Sequence, residues 1–494
     1  MGIFEVERLA AGRPLTFSGV SDGAQGLILS DLARALAALP HAPAVSLVMI
    51  CRDGPRMAAL HRALDFFAPN LGVLQFPSWD CQPYDRVSPH AAFVAQRMTT
   101  LSQITRGKEC GRVVLTTVNA VLQRVPSRHF VLAHSLPLAP GNVLAMAGIT
   151  SWLELNGFIR ASTVREPGDY AVRGGIIDLF APGTAEPVRL DFFGDTLETI
   201  RSFNPESQRT TGQLHRLDLV PVAEFHLSPD SIKCFRLGYV EAFGAPAPDD
   251  LLYQAVSEGR RYPGMEHWLP LFHEQLETLL DYVPQSAVVL DALAQDAARE
   301  RLAQISDYYE ARQQALGHRD GSPPYKPLPP ERLYLGEAEW RERLEHVPLA
   351  QVTPFSHPDG QGSIELAAKQ GRNFAAERAE PGRNVFEAVR EHVKGLQAAG
   401  KRVTVALWSE GARERMSHVL ADHGLAELTA VGAWQEATGL PKRSVALAVL
   451  GLESGFETAD AAIISEQDIL GDRLVRPRLS TRRAENFISE VSSL

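Results

Sequence analysis

Apolar strands and helix-like stretches alternate along the first part of the chain. Mainly apolar runs occur at 44–50, 73–76 and 113–117, and apolar residues at helical spacing lie between the first two, near 54–67. Strands that alternate with helices at this pitch are typical of a parallel sheet with crossover helices. The pattern therefore predicts a first α/β unit over residues 1–125.

The pattern then changes to shorter segments. Turn signals such as Glu-Pro-Gly-Asp and Ala-Pro-Gly surround two apolar segments, at 174–180 and 188–193. Short apolar segments bounded by glycine and proline turns indicate a small β-sheet. We therefore expect a small α+β insert over residues 126–215, which splits the first α/β unit.

Another buried-strand pattern appears at 285–291, followed by a long helical stretch. It predicts that residues 216–345 complete the first unit. Strands and helices alternate again over residues 350–470, which predicts an additional α/β domain. The remainder, 471–494, carries five arginines between Arg473 and Arg483, and we interpret it as a linker.

Composition narrows the class of protein. A chain of 494 residues with 45% hydrophobic and 22% charged residues is typical of a multidomain globular protein. The chain has neither a bilayer-length apolar run nor a signal-peptide pattern at its start, so we expect a cytoplasmic protein with no membrane contact. The net charge of −10 argues against a surface devoted to nucleic acid.

Catalytic and metal signatures are missing from the sequence. The four cysteines include no C-x-x-C pair, which predicts free thiols rather than a zinc site or disulfides. No Ser/His/Asp or Cys/His spacing and no H-x-x-x-H pair flanked by acids is visible. We therefore predict no catalytic residue and no metal ligand in this chain.

The segment GVSDGAQG at 19–26 has the context of a phosphate-binding loop, because a strand precedes it and a helix follows. In the G-x-x-x-x-G-K-[ST] loop, the lysine reaches the terminal phosphates and the hydroxyl holds magnesium. Here Gln25 and Gly26 occupy these two positions, although Gly19 and Gly23 keep the glycine-rich character. The loop is therefore predicted to be an inactive relic.

A nucleotide-hydrolysing site also needs a strand that ends in two acids, one to position magnesium and one to polarise water. The strand Val-Val-Leu at 288–290 ends in Asp291, but Ala292 stands in place of the second acid. Together with the changed loop, this favours an ATPase scaffold that has lost its ATPase activity.

Two further groups of residues have alternative interpretations. Arg160 and Arg173 lie on short segments of the insert, close to Phe180, and arginines beside aromatic residues are typical of interface hot spots. Solvated surface arginines remain an equal alternative. The aromatic residues Trp79 and Tyr84 can stack on nucleic-acid bases when exposed, but packing of their loop over the sheet edge is the favoured interpretation.

Four segments together resemble the bacterial transcription-repair coupling factor, in its amino-terminal half, which is similar to the excinuclease protein UvrB. The resemblance extends over essentially the whole chain. The segments are FPSWDCQPYD at 76–85, GDYAVRGGIIDLF at 168–180, RLDFFGD at 189–195 and FNPESQRT at 203–210.

The resemblance implies a degenerate helicase-like domain of the P-loop NTPase type, split by an insert through which the family binds the excinuclease protein UvrA. It implies Arg160, Arg173 and Phe180 as UvrA-binding residues. It also implies that RNA polymerase and double-stranded DNA bind the carboxyl-terminal half, which is expected to be an ATP-dependent DNA translocase. ATP and magnesium would belong to that half, so no cofactor is expected in this segment, and 471–494 would lead toward a polymerase-interacting domain.

The resulting hypothesis is a non-catalytic module that recruits UvrA to RNA polymerase stalled at DNA lesions. The first alternative is an ATP-dependent, damaged-DNA-binding protein like UvrB, which the residues at Gln25, Gly26 and Ala292 disfavour. A second alternative is nonspecific DNA binding through the arginine-rich tail, which predicts a steep dependence of affinity on salt.

Overall fold

The structure is a computed structural model that describes residues 4–107, 111–316, 325–357 and 362–471. The expected linker therefore lies outside the described residues from position 472 onward. Within the described part, the strands form one sheet of 12 strands, one of six and two small two-stranded sheets. No helix in those ranges is long and apolar enough to cross a membrane.

The first part of the chain supplies four strands of the large sheet, which are β1 (Leu15–Val20), β2 (Val45–Cys51), β3 (Val73–Phe76) and β4 (Arg112–Thr117). A fifth strand, β5 (Val125–Pro126), belongs to one of the two-stranded sheets. The helices are α1 (Val6–Ala10), α2 (Gln25–Ala37), α3 (Gly54–Phe67), α4 (Ala91–Arg106), α5 (Val118–Val121) and α6 (Arg128–Ala133). Every residue of β2 and β4 is buried, because helices cover both faces of a parallel sheet.

The insert forms the six-stranded sheet. Its strands are β6 (Leu136–Leu138), β7 (Ile159–Arg160), β8 (Asp169–Arg173), β9 (Ile176–Leu179), β10 (Val188–Phe193), β11 (Thr196–Phe203), β12 (Thr210–Leu214) and β13 (Leu217–Leu219). The six-stranded sheet has the order β12-β11-β10-β9-β8-β7, and β6 pairs with β13 in a separate ribbon. Helix α7 (Met146–Leu155) contributes Ile149 and Leu153 to the core of the insert, in which Ile177 and Leu190 of the sheet are also buried.

The chain then returns to the large sheet. The helices are α8 (Pro229–Phe243), α9 (Leu251–Ser257), α10 (Leu279–Tyr282), α11 (Ala294–Ala315), α12 (Pro330–Leu333) and α13 (Glu337–Glu345), and a 3₁₀ segment spans Met265–Leu271. The strands of the large sheet are β15 (Ala287–Leu290), β16 (Leu349–Val352) and β17 (Ser363–Gln370), whereas β14 (Leu276–Glu277) pairs with β5 in a two-stranded sheet. Because β1 pairs with both β16 and β17, the first sheet continues to Gln370, beyond the boundary expected near residue 345.

The last part adds a second group of strands. The strands are β18 (Arg402–Leu407), β19 (Leu428–Val431), β20 (Val445–Val449), β21 (Phe456–Glu457) and β22 (Ala461–Ser465). The helices are α14 (Ala375–Ala379), α15 (Val385–Ala398), α16 (Glu410–Asp422), α17 (Trp434–Gly439) and α18 (Glu466–Leu470). We call the unit formed by residues 402–470 the second α/β unit.

The order of the large sheet is β19-β20-β18-β22-β21-β17-β1-β16-β15-β2-β4-β3. The seven strands from β17 to β3 are mutually parallel. An antiparallel pairing of β17 with β21 joins them to the second α/β unit. The prediction of a multidomain α/β protein with a large, mostly parallel sheet is confirmed.

Helix α4 connects the insert to the first unit. Its Arg97 is buried and forms an ion pair with buried Glu224, just beyond the insert, and its Arg106 pairs with Asp218 of β13. Ala95 of the same helix belongs to the hydrophobic core of the insert. The insert is therefore anchored along the length of α4 by polar and apolar contacts.

Candidate functional site

The predicted relic loop lies between β1 and α2. Gly19 has a positive φ of 65°, and Gly23 lies in a short 3₁₀ turn over Asp22–Ala24. Gln25 is fully buried and its amide donates to the carboxylate of Asp22 at 3.2 Å. Gln25 therefore contacts its own turn, whereas the lysine of a working loop reaches outward to phosphate.

Asp291 lies at the end of β15 and is fully buried. Its carboxylate accepts the backbone N–H of Ala292 at 2.8 Å and lies 3.2 Å from the guanidinium of Arg52. The same guanidinium lies 3.1 Å from Asp22 of the glycine turn. The structure thus brings the turn and Asp291 together, with an arginine between them.

Burial lowers the pKa of Arg52, but the carboxylates of Asp291, Asp22 and Asp53 raise it by more, so the pKa lies above its ordinary value. Arg52 therefore stays protonated and balances the buried carboxylate. Sequence reasoning missed Arg52. Its signal was its position directly after the fully buried strand β2, at the edge where the carboxyl ends of parallel strands meet.

A second arginine, which lies in α3, contacts the same turn. Arg56 donates to the backbone carbonyl of Asp22 at 2.8 Å and lies 3.7 Å from its carboxylate. Arg52 and Arg56 together engage the carboxylate of Asp22 and the carbonyl beside it. The two arginines thus balance the charge of Asp22, the one acidic residue of the turn.

The structure places two of the three predicted interface residues together on the insert. The exposed Arg173 ends β8 and donates to the carbonyl of Ser162. Phe180 follows β9 and packs against Val164 and Phe203. Side chains alternate between the faces of a sheet, so these residues lie on the face opposite α7, which we call the outer face.

Arg160 lies elsewhere on the insert. It is exposed in β7, which forms the open edge of the six-stranded sheet, and it pairs in register with Tyr170. Tyr170 packs into the core on the α7 side, and its hydroxyl donates to Glu154 at 2.7 Å. Arg160 therefore lies at the sheet edge on the same side as Tyr170 and not on the outer face.

The outer face carries two ion pairs that sequence reasoning missed. Arg189 makes a two-pronged contact with Asp178 at 2.6 and 2.8 Å, and Arg201 contacts Asp191 at 2.6 and 2.9 Å. The hydrogen bond to Asp178 raises the pKa of Arg189. The available signal was the alternation of charged and apolar residues in β10, where Arg189 and Asp191 flank Leu190. The outer face is therefore charged and ordered.

The aromatic segment after β3 has a packing role. Trp79 and Tyr84 are only 7% and 2% exposed. They belong to a hydrophobic cluster with Trp268 and Phe235. The favoured interpretation, that these rings pack the loop, is confirmed, since buried rings offer no face for base stacking.

Cysteines and possible metal ligands were also located. Cys51, Cys81 and Cys234 are free thiols, and the fourth cysteine, Cys110, lies outside the described residues. Burial raises the pKa of Cys81 to about 12, which keeps this thiol protonated. In the ranges that the structure describes, no cluster of three or more His, Cys, Asp or Glu side chains is suited to a metal ion.

Comparison with known proteins identifies two parts of the chain. Residues 136–225 match the family described as the UvrB interaction domain. Residues 396–469 match the family described as the MFD, D3 domain. The first match coincides with the insert that carries the outer face, and the second with the second α/β unit.

Three relatives that align with most of this chain carry the same name. The chain is 28% identical over 453 residues to the transcription-repair-coupling factor of Haemophilus influenzae, covering 90% of this chain and 38% of the relative. For the Escherichia coli protein of the same name the identity is 29% over 443 residues, covering 89% and 37%. For that of Myxococcus xanthus it is 27% over 523 residues, covering 99% and 42%.

The chain spans less than half the length of these relatives. Their agreement over nine-tenths of this chain or nearly so, together with the two matched domains, leads to one conclusion. The chain is similar to the transcription-repair-coupling factors over most of its own length, and two of its parts match the UvrB interaction domain and the MFD, D3 domain.

Proposed function

We propose that this chain is a non-catalytic module of transcription-coupled DNA repair, which recruits the nucleotide excision repair protein UvrA to RNA polymerase stalled at DNA lesions. The observation that carries the proposal is the match of residues 136–225 to the UvrB interaction domain. That range contains the complete six-stranded sheet.

The proposed contact is the outer face of the insert together with the edge beside it. Arg173 and Arg160 are exposed and lack an acidic partner among the ion pairs of the described residues. A planar guanidinium binds a partner carboxylate through two hydrogen bonds. Phe180 is half-buried on the same outer face as Arg173 and would supply apolar contact area.

Anchoring of the insert supports a recruitment role. The buried pair of Arg97 with Glu224 lies at 2.5 Å, and the guanidinium of Arg97 also donates to the carbonyl of Pro77 at 3.0 Å. A protein bound to the insert would therefore be held in a fixed orientation relative to the first unit. Preorganisation of this kind lowers the entropic cost of binding.

We further propose that the first unit is a degenerate helicase-like domain that binds no nucleotide. Strand β16 lies between β1, which leads into the glycine turn, and β15, which ends at Asp291. The lysine and second acid of an ATPase site are replaced by Gln25 and Ala292, and Arg52 lies between the remaining acids. ATP, magnesium, RNA polymerase and double-stranded DNA would be bound by the rest of a longer translocating protein, and the expected cytoplasmic location stays a prediction.

The direct test is a binding titration of this chain against purified UvrA. We expect saturable binding by the wild type and a loss on the order of 2–5 kcal/mol for Arg173→Ala or Arg160→Ala if the arginine forms a desolvated charged pair. Arg415→Ala, an exposed arginine of α16 in the second α/β unit, is the matched control. Thermal melting would establish that each variant is folded.

Two outcomes would contradict the proposal. Failure of the folded wild-type chain to bind UvrA would reject recruitment by this segment. Wild-type binding that survives in both insert variants would retain recruitment and reject the assigned residues. An ATP titration of the same samples, with saturable binding as the contradicting result, would test the degenerate nucleotide site.

A further inference from the structure

The glycines of the turn at 19–26 make close contacts with other parts of the chain. A Cβ atom on Gly23 would lie 2.3 Å from the backbone carbonyl oxygen of Ser454, in the second α/β unit. A Cβ atom on Gly19 would overlap the carboxylate of Glu365 in β17. Position 23 thus needs glycine because a backbone atom takes the space of a side chain, and position 19 favours glycine because its φ is +65°.

The third glycine has a packing role as well. A Cβ atom on Gly26 would lie 2.6 Å from the Cβ of Ala63 and 3.2 Å from the ring of Phe67, both in α3. Phe67 in turn contacts Trp434 and Phe456 of the second α/β unit, with ring centroids 5.4 and 6.2 Å apart. Gly26 therefore allows α2 to approach the aromatic residues that pack against that unit.

Hydrogen bonds extend the same contact. The N–H of Ser21 donates to the carbonyl of Ala368 at 2.9 Å, and the hydroxyl of Ser18 donates to Glu365 at 2.8 Å. Strand β17, which carries both acceptors, then pairs with β21 through Gln370 and Phe456. The turn is thus linked to the second α/β unit both directly and through β17.

One hydrophobic core spans the two units. It contains Leu27 and Phe67 from α2 and α3 and, from the other side, Leu452, Phe456 and Ile463. Phe456 is completely buried. A core shared in this way is expected to couple the folding of the two units.

We propose that the glycine turn serves as an intramolecular docking site for the second α/β unit, and that residues 454–456 of this chain occupy this site. In a nucleotide-binding loop the glycines let the backbone approach a phosphate. Here Gly23 lets it approach the carbonyl of Ser454, while Arg52 balances the nearby acids. The inference goes beyond the proposed function, because it assigns a present role to a motif that the recruitment of UvrA does not use.

The test is hydrogen exchange measured by mass spectrometry on the whole chain. In Gly23→Ala, the added Cβ overlaps a backbone atom, and an overpacking cost of about 1–3 kcal/mol corresponds to a roughly 5- to 150-fold loss of protection. We expect this loss at 454–457 and 363–370, with little change in β2 and β4. Gly395→Ala, in α15, is the matched control, since its Cβ would meet nothing within 4 Å.

A second variant removes a hydrogen bond without adding an overlap. Ser18→Ala deletes the hydroxyl that donates to the carboxylate of Glu365 in β17 at 2.8 Å, and it adds no atom to the contact. We expect faster exchange within 363–370 in this variant too. Unchanged exchange at both segments, or an equal increase in β2 and β4, would overturn the proposal. Protection of residues 19–26 by added ATP in the wild type would overturn it as well.

Discussion

The guanidinium of Arg52 lies 3.2 Å from the carboxylate of Asp291, and the side chain of Asp291 has no exposed surface. One residue follows β2 and the other follows β15, and these two strands are neighbours in the sheet. The pair therefore occupies the carboxyl edge of parallel strands, where α/β proteins commonly bind ligands. In this protein a side chain supplies the positive charge at that edge.

Loss of Arg52 is expected to destabilise the first unit. Arg52→Ala leaves Asp291 buried without its charged partner, which costs about 3 kcal/mol. The double variant Arg52→Met, Asp291→Leu should recover most of that loss, because it removes both charges. Denaturant unfolding measures the free energy. Arg299→Ala is the control, since its ion pair with Asp296 is exposed and worth less than about 1 kcal/mol; equal losses in the two single variants would refute the explanation.

Of the two ion pairs made by α4, the buried pair Arg97–Glu224 should contribute more to the free energy of unfolding than the more exposed pair Arg106–Asp218. Glu224→Ala leaves Arg97 charged and buried, with an expected cost of roughly 3–5 kcal/mol. Asp218→Ala removes the partner of the more exposed Arg106 and should cost less than about 1 kcal/mol. Urea unfolding of both variants gives the comparison, and a reversed order would show that α4 does not hold the insert as described.

The two ion pairs of the outer face are also expected to differ in how much they stabilise the protein, with the more buried pair contributing more. Asp178 is 3% exposed, so Arg189→Ala leaves a buried acceptor without its partner and should cost about 1–3 kcal/mol. Arg201 has 40% of its side chain exposed, and its removal should cost less than about 1 kcal/mol. Thermal melting of the two variants is the measurement. A larger effect of Arg201→Ala would contradict the assigned burial.

Stability should fall in mild acid because of three neighbouring histidines. The rings of His134 and His226 have centroids 3.9 Å apart. Both rings contact the ring of Phe130, and the ring of His273 contacts it as well. Burial lowers the pKa of His134, and it lowers that of His226 to about 3 and that of His273 to about 4. In the unfolded chain an imidazole has a pKa near 6.5.

These pKa values determine whether stability rises or falls with pH. Below about pH 6.5 the unfolded state binds protons that the folded state does not, so stability decreases as the pH falls toward about 4. The loss should be about 1 kcal/mol for each deeply buried imidazole at about pH 5.5. Unfolding measured at about pH 7.5 and 5.5 tests this. His226→Phe should flatten the dependence, and an unchanged slope in that variant would refute the assignment.

Local sequence patterns were sufficient for the elements whose environment is uniform. The strands β2, β4 and β15 are buried on both faces, so each appears as a mainly apolar run that can be recognised without knowing its neighbours in the sheet. The replacements at Gln25 and Ala292 were equally visible, because a nucleotide site requires particular residue types at fixed spacing. The alternation of strands and helices likewise predicted the α/β class.

Tertiary structure decided which distant residues meet. A strand pattern does not specify its partner, so the sequence did not show that β16 and β17 extend the first sheet or that β17 reaches β21. Nor did it show that Arg52 would lie between Asp22 and Asp291. Hydrogen-bond partners across a sheet and charge partners across a cleft depend on chain path, because the contacting atoms come from segments hundreds of residues apart. The close approach of Gly23 to Ser454 has the same origin.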